Sequence, residues 1–122
     1  MNKFLMATAA LALGATTAVA DVKIGMITTL SGGGAGLGID VRDGFMLAVA
    51  QSGRSDIDVV IEDDQRKPDI AVQLSDKMIQ SERVDIMTGI IWSNLAMAVV
   101  PAVTNQNVFY LSPNAGPSPL AG

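Results

Sequence analysis

Four short apolar runs, separated by three longer stretches with helical spacing, set the strongest limit on what this chain can fold into. The runs cover residues 22–28 (VKIGMIT), 57–62 (IDVVIE), 84–90 (VDIMTGI) and 108–111 (VFYL). They are apolar nearly throughout instead of alternating, as parallel strands covered on both faces are. Helices are predicted between them over residues 38–51, 68–82 and 94–104. The first carries Phe45, Ala48 and Val49 at three- and four-residue spacing and runs out into Ser52-Gly53. The second opens on Pro68, which suits a first helical turn, and sets Ile70, Leu74 and Met78 in one row. Pro101 lies inside the third and is expected to bend it or end its regular hydrogen bonding. The apolar faces of all three helices are expected to be core.

A β-α-β-α-β-α-β order builds an α/β fold, a parallel sheet with right-handed crossovers and helices on both faces. Ligands of such sheets sit at the carboxyl ends of the strands, beside the point where the strand order switches. Here those ends are residues 29–38, 63–67, 91–94 and 112–116.

Residues 1–20 read as an export signal. Lys3 gives a positive start, residues 4–13 are apolar, and Ala18-Val19-Ala20 supplies a small-x-small cleavage pattern. The apolar stretch is well short of the roughly 20 residues that span a bilayer. Cleavage would leave a soluble periplasmic product starting at Asp21, with no cysteine behind Ala20 to carry a lipid. Beyond the signal, seven basic residues face twelve acidic ones, a charge of −5 that disfavours nucleic acid and anionic lipid as partners. There is no cysteine, so no disulfide staples the exported fold and burial must hold it together.

The glycine-rich segment Ser31-Gly32-Gly33-Gly34-Ala35-Gly36-Leu37-Gly38 fails the dinucleotide-binding spacing. Counted from Gly32 and Gly34, the third glycine would have to stand at Leu37; counted from Gly34 and Gly36, at Ile39. Two readings remain: amides that approach a small ligand beside a helix N-terminus, or a merely permissive connection. Ser93 and Asn94 either cap the third helix or hold a ligand carboxylate against its positive end, and Trp92 either packs or offers a stacking face. Residues 112–118 are dense in turn formers that would present backbone groups and the Asn114 amide at the same rim. The cluster Glu62-Asp63-Asp64, followed by Arg66-Lys67, is expected to be a solvated turn and not a ribose site. With neither histidine nor cysteine, metal sites built on them and the usual nucleophile–base pairs are missing. Neither an enzyme nor a cofactor is therefore expected.

Taken together, VKIGMITTLSG, EDDQRKPDIAV, DIMTGIIWSN and VFYLSPNAGPS, in that order after an export signal, resemble the type I periplasmic binding proteins. More narrowly, they resemble the leucine/isoleucine/valine-binding family of ABC importers, from about Val22 to the end of the chain. The resemblance implies two α/β lobes joined by a hinge and closing over a small molecule, with the closed form recognised by a membrane permease. On the matching positions, Ser93 would hold the ligand's α-carboxylate, assisted by amides around Asn94. Asn114 and Gly116, with Ala115 between them, would meet the carboxylate and amino groups, and Leu37 stands where amino-acid binders often place an aromatic ring. Gly116 replaces a hydroxyl-bearing residue often found there. The stretch SPNAGPS is similar to a subgroup associated with aromatic carboxylates, which would also suit Trp92, so aliphatic amino acids and aromatic acids are both expected ligands. Family members are several times longer, and residues 21–122 are expected to be the N-terminal part of lobe one. A receptor's ligand-binding domain of the same fold is the alternative; the glycine spacing and the export signal both oppose a nucleotide-dependent oxidoreductase.

Overall fold

The computed structural model describes residues 21–121; the export signal read over residues 1–20 lies outside them. The elements run β1 (Val22–Thr28), α1 (Ala35–Gln51), β2 (Ile57–Asp63), α2 (Pro68–Gln80), β3 (Ile86–Thr88), α3 (Ser93–Thr104) and β4 (Phe109–Leu111), followed by a 3-10 turn at Ser118–Leu120. All four strands pair in parallel in the order β2-β1-β3-β4. The expected α/β architecture, a parallel sheet with helices on both faces, is therefore present.

Register decides which residues share a face, because side chains alternate along a strand. Val60, Gly25, Met87 and Tyr110 lie in one row across the sheet and look toward α2 and α3. On this side Ala71 and Met78 of α2 meet Leu95, Ala96, Val99 and Val103 of α3 over Ile27, Val84, Met87 and Ile90. Each large side chain fully buried here is worth roughly 1.5–3 kcal/mol. Gly25 is bare because the sulfurs of Met87 and Met78 fill the place of its side chain, 2.6 and 2.8 Å from where a Cβ would stand.

The opposite face differs from expectation. Ile24 and Met26 are buried there, but Phe109 and Leu111, in the same rows on β4, are 64% and 52% exposed. Among the described residues, only α1 lies on this side, against β1, and its single buried residue is Gly38. Phe45 and Val49 are half-buried and Ala48 is exposed, so the apolar row of α1 is not core; of the row in α2, Met78 is fully buried while Ile70 and Leu74 are half-buried. Helical spacing shows which side of a helix is apolar; it does not show how much of that side finds a neighbour.

Boundaries shift where glycines act. α1 begins three residues early because Gly34, at φ 94, turns the chain into it. β3 is three residues long instead of seven; Gly89, at φ 110, ends its pairing, and Ile90 and Ile91 continue as buried but unpaired chain. α3 continues past Pro101 to Thr104, and the amide of Asn105 donates to the Pro101 carbonyl at 3.0 Å. Pro101 is exposed, as is Met97 one turn earlier, whose carbonyl would have met the missing amide; that group lies on the solvent side of the helix.

Gly38 fixes how closely α1 approaches β1, since a Cβ there would overlap the Thr29 carbonyl and come within 3.0 Å of Thr28 Oγ1. A Cβ at Gly44, in the same helix, would meet nothing within 4 Å. Gly38→Ala is expected to lose at least about 1–3 kcal/mol in urea unfolding, whereas Gly44→Ala is expected to gain about 0.4–1 kcal/mol.

Candidate functional site

Parallel pairing brings all four carboxyl ends to one edge of the sheet. The crossover leaving β1 runs to β2 and the crossover leaving β3 runs the opposite way to β4, which opens a crevice between the β1 and β3 ends. The residues at that edge are tied together through Trp92.

The indole is half-buried, and its Nε1 donates to Thr29 Oγ1 at 2.8 Å. The Thr29 hydroxyl donates in turn to Asp64 Oδ1 at 2.6 Å. Asp64 is fully buried, which corrects the expectation of a solvated acidic turn. Its Oδ1 also accepts the Arg66 amide at 2.8 Å, while Oδ2 has no donor among the described residues. Burial raises the Asp64 carboxyl pKa; the Thr29 and Arg66 hydrogen bonds act in the opposite sense without cancelling it. The neighbouring acids behave differently. Glu62 pairs with Lys77 Nζ at 2.7 Å. Asp63 accepts the amides of Leu30 and Gln65 at 2.8 and 2.9 Å. Partial burial works against its ionisation, but these bonds and those from the Ser31 side chain and backbone outweigh it and hold the carboxyl below its ordinary range.

Arg66 closes the cluster. Its guanidinium lies 3.9 Å over the centroid of the Trp92 ring, and Nη1 donates to the Gly33 carbonyl at 3.4 Å. Gln65 and Arg66 are both left-handed, at φ 51 and 58, an uncommon pair for residues with side chains, and the amides bound by Asp63 and Asp64 hold them there. Gly34 lies beneath the indole, where a Cβ would run into the ring. The glycine loop is thus more than permissive, since one of its glycines makes room for Trp92.

Ser93 and Asn94 follow as the exposed first residues of α3. The helix is capped by Trp92 without a side-chain hydrogen bond, so neither residue serves as the cap. Asn114 Nδ2 donates to the Ile91 carbonyl at 3.0 Å, tying the fourth loop to the third. Ala115 turns its methyl into the core and Ser112 Oγ donates to its carbonyl, so it offers a ligand only backbone. Gly116 lines a cavity of about 230 Å³ between α3, β4 and the 3-10 turn, with Val100, Tyr110 and Leu120. Burial pushes the Tyr110 hydroxyl pKa far up, and that hydroxyl accepts the Ile90 amide. Leu37 stands 54% exposed on α1, outside the Trp92 network. The structure therefore gathers Trp92, Ser93, Asn94 and Asn114, and adds Thr29, Asp64 and Arg66, which sequence reasoning passed over. Among the described residues, no group of His, Cys, Asp and Glu could hold a metal ion, and no helix is long and apolar enough to cross a membrane.

The family model described as "Periplasmic binding protein" matches residues 21–122. The chain belongs to the periplasmic binding protein family. Solved members of similar fold include an ABC transporter substrate-binding protein from Sphaerobacter thermophilus (30% identity, TM-score 0.76), covering 80% of this chain and 27% of that one. A solute binding protein from R. palustris in complex with benzoate is 35% identical, with TM-score 0.73, covering 79% and 28%. The branched-chain amino acid transporter substrate binding protein of Streptococcus pneumoniae, in complex with isoleucine, is 26% identical, with TM-score 0.74, covering 80% and 30%. None of the curated proteins searched matches the chain. The chain spans 27–30% of the length of these family members.

The raised Asp64 pKa fixes the sign of a pH effect. A carboxyl that holds its proton more tightly when folded costs stability as pH rises from its ordinary value, about 3.9, through its folded value. Asp64→Asn keeps an acceptor for Thr29 and the Arg66 amide and removes the charge. Urea unfolding across that window is expected to show wild type losing stability relative to Asp64→Asn as pH rises. Asp64→Ala, which orphans both donors, is expected to lose about 1–3 kcal/mol at every pH.

Proposed function

We propose that this chain is the N-terminal part of lobe one of a periplasmic solute-binding protein, exported through residues 1–20. The intact protein hands a small carboxylate to the membrane permease of an ABC importer; it is not an enzyme and needs no cofactor. The observation that carries this reading is the open first turn of α3: a helix N-terminus at the switch point, free of any side-chain cap, with Ser93 and Asn94 exposed beside Trp92. Orphan amides and the positive end of the helix favour an anion there, and the Ser93 hydroxyl adds a donor.

Asn114, whose Nδ2 is engaged with Ile91, keeps its Oδ1 as an acceptor on the β3 side of the crevice, and the Ala115 and Gly116 backbone follows it. Leu37 supplies an apolar flank from α1. The relatives with bound isoleucine and with bound benzoate support a ligand drawn from branched-chain or related amino acids or from aromatic carboxylates. One lobe offers half a site, and closure of a second lobe supplies the remaining contacts and excludes water.

Ser93→Ala in the protein at its full natural length is expected to weaken carboxylate binding by about 1–3 kcal/mol, the worth of a charge-assisted hydrogen bond. Calorimetric titration with benzoate and with L-isoleucine measures this. An unchanged dissociation constant for whichever of them binds would remove Ser93 from the site.

A further inference from the structure

We propose that Arg66, held over Trp92, sets the charge type of the ligand, favouring carboxylates that carry no ammonium group over zwitterionic amino acids. This deepens, and rests on, the carboxylate-binding reading above.

Three features of the rim lead there. First, Arg66 is exposed and fixed. Its backbone is locked left-handed by Asp64, its guanidinium lies 3.9 Å over the Trp92 ring, and one nitrogen is anchored on the Gly33 carbonyl. Second, its charge has no counterpart: among the described residues, no carboxylate lies within salt-bridge distance of it. A guanidinium has five N–H donors in a rigid fork, and the Gly33 contact uses one of them. Ser93 directly follows the residue whose ring Arg66 covers, so the guanidinium shares the rim with the open α3 terminus, and on this proposal it adds its donors to a carboxylate seated there.

Third, the acids that could receive an ammonium group on this wall are either shut away from solvent or already hydrogen-bonded. Asp64 is buried with Thr29 and the Arg66 amide, and Asp63 accepts the Leu30 and Gln65 amides. Gly116 brings no hydroxyl. The wall thus presents a cation, an uncapped helix N-terminus and engaged carboxylates. Such a field attracts a net anion and offers no charged partner to the positive end of a zwitterion.

The test uses the protein at its full natural length and two matched comparisons by calorimetry: benzoate against benzamide, and 3-methylpentanoate against L-isoleucine. Wild type is expected to bind benzoate at least about tenfold more tightly than benzamide, and 3-methylpentanoate more tightly than L-isoleucine. Arg66→Gln should weaken binding of the carboxylates at least about tenfold, and Arg66→Lys should recover only part of it because a lysine lacks the planar fork. Matched thermal unfolding of the two variants checks that both fold. Tighter binding of L-isoleucine than of 3-methylpentanoate, or carboxylate binding unchanged in Arg66→Gln, would overturn the role of Arg66 and leave the carboxylate reading intact. Failure of wild type to bind any of the three carboxylate-bearing probes would overturn both.

Discussion

Double-sided pairing of β1 is the constraint to which every other element is referred. Its neighbours β2 and β3 fix both edges, α1 lies on one face and α2 and α3 on the other. The strand meets these demands with small or absent side chains where the cover is closest: Gly25 yields to two methionine sulfurs, and Gly38, arriving from α1, yields to the carbonyl just past the strand. Because the crossover from β1 runs to β2 while that from its neighbour β3 runs the other way to β4, a crevice opens between their carboxyl ends. Thr28 and Thr29, the last residues of that strand and the first beyond it, are both fully buried. The rim is thus an extension of the core, built from polar atoms.

That extension has an electrostatic cost, which hydrogen bonding offsets in part. A carboxylate removed from water is costly unless paired or hydrogen-bonded, and Asp64 has hydrogen bonds on one oxygen only. In return it joins three loops through Thr29, Trp92 and Arg66, a polar arrangement with few alternatives and therefore suited to holding a single geometry.

The legible part of this fold was the part in which local pattern and tertiary surroundings agree. Pro68 opened α2 as its fixed φ suggests; of the Ile70, Leu74, Met78 row, Met78 is fully buried and Leu74 packs partly against the core, while the buried face of the helix is Ala71, Ser75 and Met78. The four strands were found within a few residues because their apolar runs are bounded by turn formers. α1 was misjudged because its apolar row finds cover only over β1, which no periodicity reports. The rim was half legible: Trp92, Ser93 and Asn94 stood out as a strand-to-helix junction. Asp64 and Arg66 were hidden inside a charged run, since their roles depend on two successive left-handed residues, a backbone choice that Gln and Arg do not announce.

The same network bears on how much freedom the rim retains. The Trp92 ring is held by a hydrogen bond at its edge, by a guanidinium on one face and by the glycine loop packed against it. Immobilising a side chain on binding ordinarily costs about 0.5–1.5 kcal/mol of rotamer entropy. Here that entropy is already spent during folding, for the indole and for the arginine above it. Whatever docks on this wall meets a rigid template, and any shape adjustment falls to the docking molecule or to the opposing wall.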